Sequence, residues 1–230
     1  MTFGGWQKIS LLDFPGKISS ILFTNGCVFR CSFCYNPGLV EPPFKTVISE
    51  ETVLKYLAER ANVLEGVVIT GGEPTIHADL PEFLKKIKLL GYPVKLDTCG
   101  YLPHVLERLI GEKLIDYVAM DIKAPLAKYA AITRVPVNPD FISKSINIIM
   151  SSGIPYEFRS TLVEGVHNAE DIVRMAQMIL GADMYYLQLF RTSPVLLNPD
   201  FLSKRAPLRS QLEVAADRCR LYVKRCEIRG

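Results

Sequence analysis

The sequence predicts an α/β fold: a partial (β/α)6 barrel, its sheet mostly parallel, with helices outside. Two observations lead there. Short β-branched runs, apolar on both faces, recur at residues 18–24, 67–70, 94–97, 117–121, 156–162 and 185–189, as strands covered on both sides do. Segments of helical apolar spacing lie between them, so strand and helix alternate and the strands must run parallel. A closed eight-unit barrel takes roughly 250 residues; six units in 230 residues suit an open one.

The helices carry their own punctuation. Ser49 can cap one that runs to about Ala61, with Glu50 and Glu51 at its positive end. Asp79 can cap a helix over residues 80–90, with Pro81 in its first turn and Gly91 as its stop. Further helices are expected over 102–110, over 139–152 between Asn138 and Gly153, over 169–180 after Asn168, and over 206–224. No repeat, low-complexity segment or linker divides the chain, so residues 1–230 read as one domain.

Composition narrows the function classes. Hydrophobic residues make up 49% and charged residues 22%, which is ordinary for a globular chain with a sizeable core. A net charge of +3 is too small to argue for nucleic acid. The basic excess gathers late: Lys204, Arg205, Arg209, Arg218, Arg220, Lys224, Arg225 and Arg229 face only Glu213, Asp217 and Glu227. That reads as a solvated helix face before it reads as a dock for an acidic partner. No apolar run approaches the roughly 18–20 residues that cross a bilayer, and Met1–Gly5 lacks the layout of a signal peptide. A membrane role is therefore not expected, and a cytoplasmic location is. In a reducing compartment the six cysteines are ligands, nucleophiles or core residues before they are disulfides.

Three of them stand together. Cys27, Cys31 and Cys34 fall in a loop at about residues 25–38, directly after the first apolar run. Thiolates at this spacing suit an iron–sulfur cluster or zinc. Three ligands leave one iron of a four-iron cluster open to a substrate or cofactor. A structural zinc would want a fourth ligand, and the nearest histidine, His77, is far along the chain.

The pattern C-x3-C-x2-C, with Phe33 before the last cysteine, resembles the signature of the radical S-adenosylmethionine superfamily. The flanks, Trp6–Lys17 before it and Cys34-Tyr35-Asn36-Pro37 after it, resemble the activating enzymes of glycyl-radical proteins. Within that group the likeness is nearest to the activators of anaerobic ribonucleoside-triphosphate reductase. The resemblance implies one [4Fe–4S] cluster on the three cysteines and S-adenosylmethionine cleaved reductively at it. It further implies a flavodoxin or ferredoxin-like electron donor and a glycyl radical made on a partner enzyme.

It also assigns residues. Gly71-Gly72-Glu73-Pro74 follows the second apolar run; paired glycines let backbone approach a ligand, and in the family this segment grips the methionyl amino group. Asp97, Asp121 and Lys123 follow the next two runs. The resemblance puts a monovalent cation near Asp97 and Asp121, and Lys123 near the cofactor carboxylate. Arg159 matches a cofactor-side arginine, whereas Arg191 matches nothing. Phe33 and Tyr35 stand where the family borders adenine. Cys99 departs from the asparagine common in relatives and reads as a buried thiol. His77, His104 and His167 read as turn or surface residues. Cys219 and Cys226, placed on one helix, would stand ~10 Å apart, too far for a disulfide, and read as structural.

Two other readings stay open. One is a radical enzyme acting on a small molecule or on RNA. The other is a non-catalytic iron–sulfur or zinc-binding module, with the later motifs as coincidences of barrel loops.

Overall fold

A computed structural model describes residues 1–230. Its strands are β1 (Thr2–Phe14), β2 (Lys17–Thr24), β3 (Ile48–Ser49), β4 (Gly66–Gly71), β5 (Val94–Thr98), β6 (Tyr117–Asp121), β7 (Tyr156–Leu162), β8 (Tyr185–Leu189) and β9 (Cys226–Arg229). The helices are α1 (Glu50–Glu59), α2 (Leu80–Leu89), α3 (Pro103–Gly111), α4 (Tyr129–Thr133), α5 (Pro139–Ser151), α6 (Ala169–Met178) and α7 (Arg209–Cys219). All strands join one sheet in the order β3-β1-β2-β4-β5-β6-β7-β8-β9. The six expected strands are β2, β4, β5, β6, β7 and β8, and each pairs in parallel with the next. β9 does not pair with β1, so the barrel is open along one side.

Alternation along these strands separates two interiors. Val67, Ile69, Val94, Leu96, Val118, Met120, Phe158 and Leu187 point outward and pack with α1 to α7 in one large apolar core. The concave face is different. Near β1 and β2 it is apolar, with Phe14, Ile21 and Val68 in contact. Across β5, β6 and β7 it carries Lys95, Asp97, Asp121, Glu157 and Arg159. Arg229 of β9 reaches the same face and pairs with Glu157.

Capping follows the sequence in most places. Ser49 accepts the N–H of Thr52, Asn138 that of Asp140, and Asn168 shares a reciprocal cap with Asp171. Asp79 makes no cap bond, because its own backbone is already helical.

Four features differ from expectation. β1 is a thirteen-residue strand antiparallel to β2; its apolar Ile9, Leu11 and Leu12 are exposed, so no buried face announces it. α4 is a single short helix in what reads as loop. The last helix stops at Cys219. The chain then reverses and adds β9 parallel to β8, as a seventh parallel strand.

That reversal corrects the placement of Cys219 and Cys226 on one helix. The two buried thiols face one another, one at the end of α7 and the other at the start of β9. Five of the eight late basic residues are paired: Arg209 with Glu213, Arg218 with Glu170, Arg220 with Asp217, Lys224 with Asp183 and Arg229 with Glu157. This supports the solvated-face reading. No helix is long and apolar enough to cross a membrane.

Candidate active site

The loop after β2 is held from several directions. At its base Gly26 N–H donates to Leu39 O at 2.6 Å. His77 binds the Asn25 carbonyl at 2.7 Å through its ring Nε2. The N–H of Arg30 donates to Thr133 O of α4 at 2.8 Å, while its guanidinium binds the carbonyls of Cys27 and Phe29. From the far end of the chain, Asn198 N–H donates to Ser32 O at 3.1 Å and Leu197 N–H to Cys34 O at 3.3 Å. The short α4 thus has a purpose that its sequence does not show: it shapes the loop that carries the cysteines.

Cys27, Cys31 and Cys34 all line one cavity of about 340 Å³, within the size range of small-molecule sites. Burial holds the Cys27 thiol up at about 12 and that of Cys31 at about 11, and it raises Cys34 as well. The three are therefore neutral thiols until a positive centre displaces their protons. No three His, Cys, Asp or Glu side chains converge as the ligands of a single metal ion do. A four-iron cube takes each thiolate on a different iron, so its ligands surround a body rather than a point. Soft thiol donors on a common cavity wall suit an iron–sulfur cluster.

β4 ends against this loop. Gly72 N–H donates to Thr24 O at 2.9 Å and Glu73 N–H to Gly26 O at 2.8 Å. A side chain on Gly72 would place its Cβ 1.9 Å from Gly26 O, and one on Gly71, whose φ is +115°, would place its Cβ 2.3 Å from Thr24 N. The two glycines are needed for the seating of loop on strand, and both also line the cavity.

Glu73 does not. Its fully buried carboxylate accepts Thr75 N–H at 3.1 Å, the hydroxyls of Thr75 and Thr98 at 2.5 and 2.7 Å, and Cys99 N–H at 2.7 Å. Of the Gly71–Glu73 segment, only the two glycines reach the cavity wall, and four hydrogen bonds hold the Glu73 carboxylate within the protein. Cys99 is a buried thiol, raised well above its ordinary value by burial and then by the neighbouring Glu73 charge.

Asp97, Asp121, Lys123 and Arg159 meet on the cavity floor. Arg159 lies between the two carboxylates, with NH1 3.2 Å from Asp97 and Nε 2.8 Å from Asp121. Lys123 Nζ is 3.1 Å from the other oxygen of Asp121. Burial alone would raise both carboxyls, yet Arg159, with Lys95 beside Asp97 and Lys123 beside Asp121, outweighs it and holds both low. The same exchange holds Lys123 and Arg159 firmly protonated, the carboxylates overcoming burial.

Phe33 and Tyr35 both line the cavity. Phe33 packs with Val163, Phe190 and Leu196. Tyr35 stacks on Phe190 at 5.7 Å, and its hydroxyl accepts Arg191 N–H at 2.8 Å. Arg191 thereby contributes backbone, and its side chain is not part of the wall.

His167 is a residue that spacing misses. It is buried, not on the surface. Its Nδ1 accepts Val163 N–H at 3.2 Å, so the proton sits on Nε2 and is donated to Lys123 O at 3.0 Å. Phe33 meets its ring edge-on at 6.0 Å. Two unrelated loops and the wall of the cavity thus hang on one imidazole.

A thiol-lined cavity at the carboxyl ends of parallel strands matches a known family. The Radical SAM superfamily model aligns with residues 21–179. The chain belongs to the radical SAM superfamily. Among similar proteins of this superfamily, a candidate glycyl-radical enzyme activating enzyme of Methanocaldococcus jannaschii is 30% identical over 98% of this chain and 94% of its own. A pyruvate formate-lyase-activating enzyme of Staphylococcus epidermidis is 28% identical over 77% of this chain and 74% of its own. The chain is thus a radical SAM enzyme of the activase group. Among solved structures, Streptococcus suis SuiB superposes with a TM-score of 0.69 at 17% identity, over 91% of this chain and 48% of SuiB. The chain spans about half of SuiB's length. QueE from Escherichia coli superposes with a TM-score of 0.58 at 17% identity, over 99% of this chain and 93% of its own. These two likenesses establish the partial barrel alone.

Proposed function

We propose that this radical SAM enzyme makes a glycyl radical on a partner protein, and that the partner is anaerobic ribonucleoside-triphosphate reductase. The observation that carries the reading is the cavity: three thiols on one wall, an ion network on its floor that gains one surplus positive charge from Lys95 beneath it, and an open flank.

Cys27, Cys31 and Cys34 would hold a [4Fe–4S] cluster, and the backbone of Gly71 and Gly72 a methionyl amino group. Lys123 and Arg159 present ammonium and guanidinium to a carboxylate, and such charge-assisted bonds are the stronger kind. Phe33 and Tyr35 offer flat apolar faces to a purine ring. When bound, the cluster and S-adenosylmethionine supply the one-electron chemistry that removes a hydrogen atom from a glycine Cα.

The chain's own share is positioning and exclusion of water. Phe29, Phe33 and Val40 make the upper wall apolar. Asp13 at the end of β1 and Gln188 of β8 also line the cavity, so it reaches the flank where β1 and β9 leave the sheet unclosed. An extended backbone carrying a glycine can enter there. The flavodoxin or ferredoxin-like donor belongs to the same reading.

Anaerobic mixing of the reconstituted enzyme with S-adenosylmethionine, a reductant and the candidate reductase tests it. The expected result is a glycyl doublet in the electron paramagnetic resonance spectrum of the reductase, with 5′-deoxyadenosine released. A doublet on pyruvate formate-lyase but not on the reductase would change the partner. Release of 5′-deoxyadenosine with no protein radical on either would transfer the enzyme to small-molecule or RNA chemistry.

A further inference from the structure

The monovalent cation that the resemblance puts beside Asp97 and Asp121 finds its position taken by the chain itself. All four carboxylate oxygens face protein cations. Asp97 Oδ1 lies 2.6 Å from Lys95 Nζ and Oδ2 lies 3.2 Å from Arg159 NH1. Asp121 Oδ1 lies 2.8 Å from Arg159 Nε and Oδ2 lies 3.1 Å from Lys123 Nζ. Three positive groups already meet two negative ones, so a further cation would be repelled rather than held.

Lys95 differs from the other two cations. Arg159 and Lys123 line the cavity, and Lys95 does not. Its side chain is 3% exposed and points to the same face of β5 as Asp97, two residues away. The ring of Tyr117 stands 5.9 Å from its Nζ. The nearby carboxylate of Glu157 is engaged by Tyr117 and Arg229. Lys95 therefore spends its charge on Asp97, below the plane where a ligand can reach.

We propose that Lys95 is a built-in cation: its ammonium neutralises and orients Asp97 in place of a bound sodium or potassium ion. Arg159 and Lys123 are thereby left with the surplus charge for the ligand's carboxylate, and cofactor binding does not depend on added monovalent cations. Lys95 is a positioning residue, since it acts through Asp97 and touches no ligand. The inference rests on the reading of the cavity as an S-adenosylmethionine site.

The test is S-adenosylmethionine binding by calorimetry to the cluster-loaded protein, in choline, sodium and potassium chloride of equal ionic strength. Wild-type affinity should agree within about twofold in all three salts, while Lys95→Ala should bind about tenfold more weakly in choline and recover in potassium or sodium. Loss of wild-type affinity by about tenfold in choline would overturn the proposal. So would a Lys95→Ala protein indifferent to salt, or one that no small cation restores. Should Lys95→Ala not fold, the wild-type series together with Lys95→Gln decides on the same criteria. Binding is read here without a partner protein, so a failure to form a glycyl radical leaves this result standing. Absence of binding in every salt would overturn both this inference and the proposed function.

Discussion

The carboxylate of Glu73 accepts the backbone N–H of Cys99 at 2.7 Å, across 26 residues of sequence. That bond ties the turn after β4 to the turn after β5, so two walls of the cavity move as one. Replacing Glu73 by Ala would leave the Thr98 hydroxyl and the Cys99 and Thr75 amides buried without an acceptor, at a cost of about 3 kcal/mol or more. The expected outcome is a lower denaturant midpoint with unchanged slope. Unchanged stability with lost S-adenosylmethionine binding would instead put the carboxylate on the ligand.

The two groups of cysteines should separate cleanly. Cys31→Ala is expected to abolish iron binding and 5′-deoxyadenosine release, because two thiols cannot retain the cluster. Cys219→Ala, in the apolar packing between α7 and β9, should keep its iron and lose about 1–2 kcal/mol of stability. Iron content, visible absorbance and thermal melting of both variants decide this. Full iron in Cys31→Ala would remove that thiol from the ligand set.

Arg159 bridges two buried carboxylates, and lysine has no fork with which to do so. Arg159→Lys should therefore keep one ion pair and weaken S-adenosylmethionine binding by about tenfold. Arg159→Ala leaves both carboxylates without their shared partner and should destabilise the fold by about 3–5 kcal/mol. Unfolding curves and binding isotherms report the two effects separately. Equal behaviour of the two variants would argue against the bridge.

His167 gives the fold a defined pH dependence. Burial lowers its pKa below the ordinary 6.5, although the Lys123 carbonyl works the other way. The unfolded chain therefore takes up a proton before the folded one does. This contribution is complete above about 6.5 and is lost as pH falls from there toward the lower folded value, at no more than about 1.4 kcal/mol per pH unit. His167→Gln, which keeps one donor and one acceptor, should remove that part of the slope when stability is measured by denaturant between pH 7 and 5. A slope unchanged in the variant would assign the dependence to other groups.

What was legible in the chain was whatever neighbours along it can encode. The runs that became β2, β4, β5, β6, β7 and β8 are apolar on both faces because both faces are covered, and that pattern survives without coordinates. Cys27, Cys31 and Cys34 lie within one loop, so their spacing already describes a site. The caps at Ser49, Asn138 and Asn168 are equally local. β1 was not legible, because its exposed Ile9, Leu11 and Leu12 carry no alternation and only pairing with β2 extends them.

The sequence by itself thus determined the open parallel barrel, the thiol loop and the strand ends that carry Asp97, Asp121 and Lys123. Tertiary structure alone decided which way the charges face: Glu73 into the protein, Lys95 onto Asp97, His167 beneath Lys123. Local pattern depends on groups a few residues apart, whereas these partnerships join separate strands and loops, and the register and twist of the sheet set them.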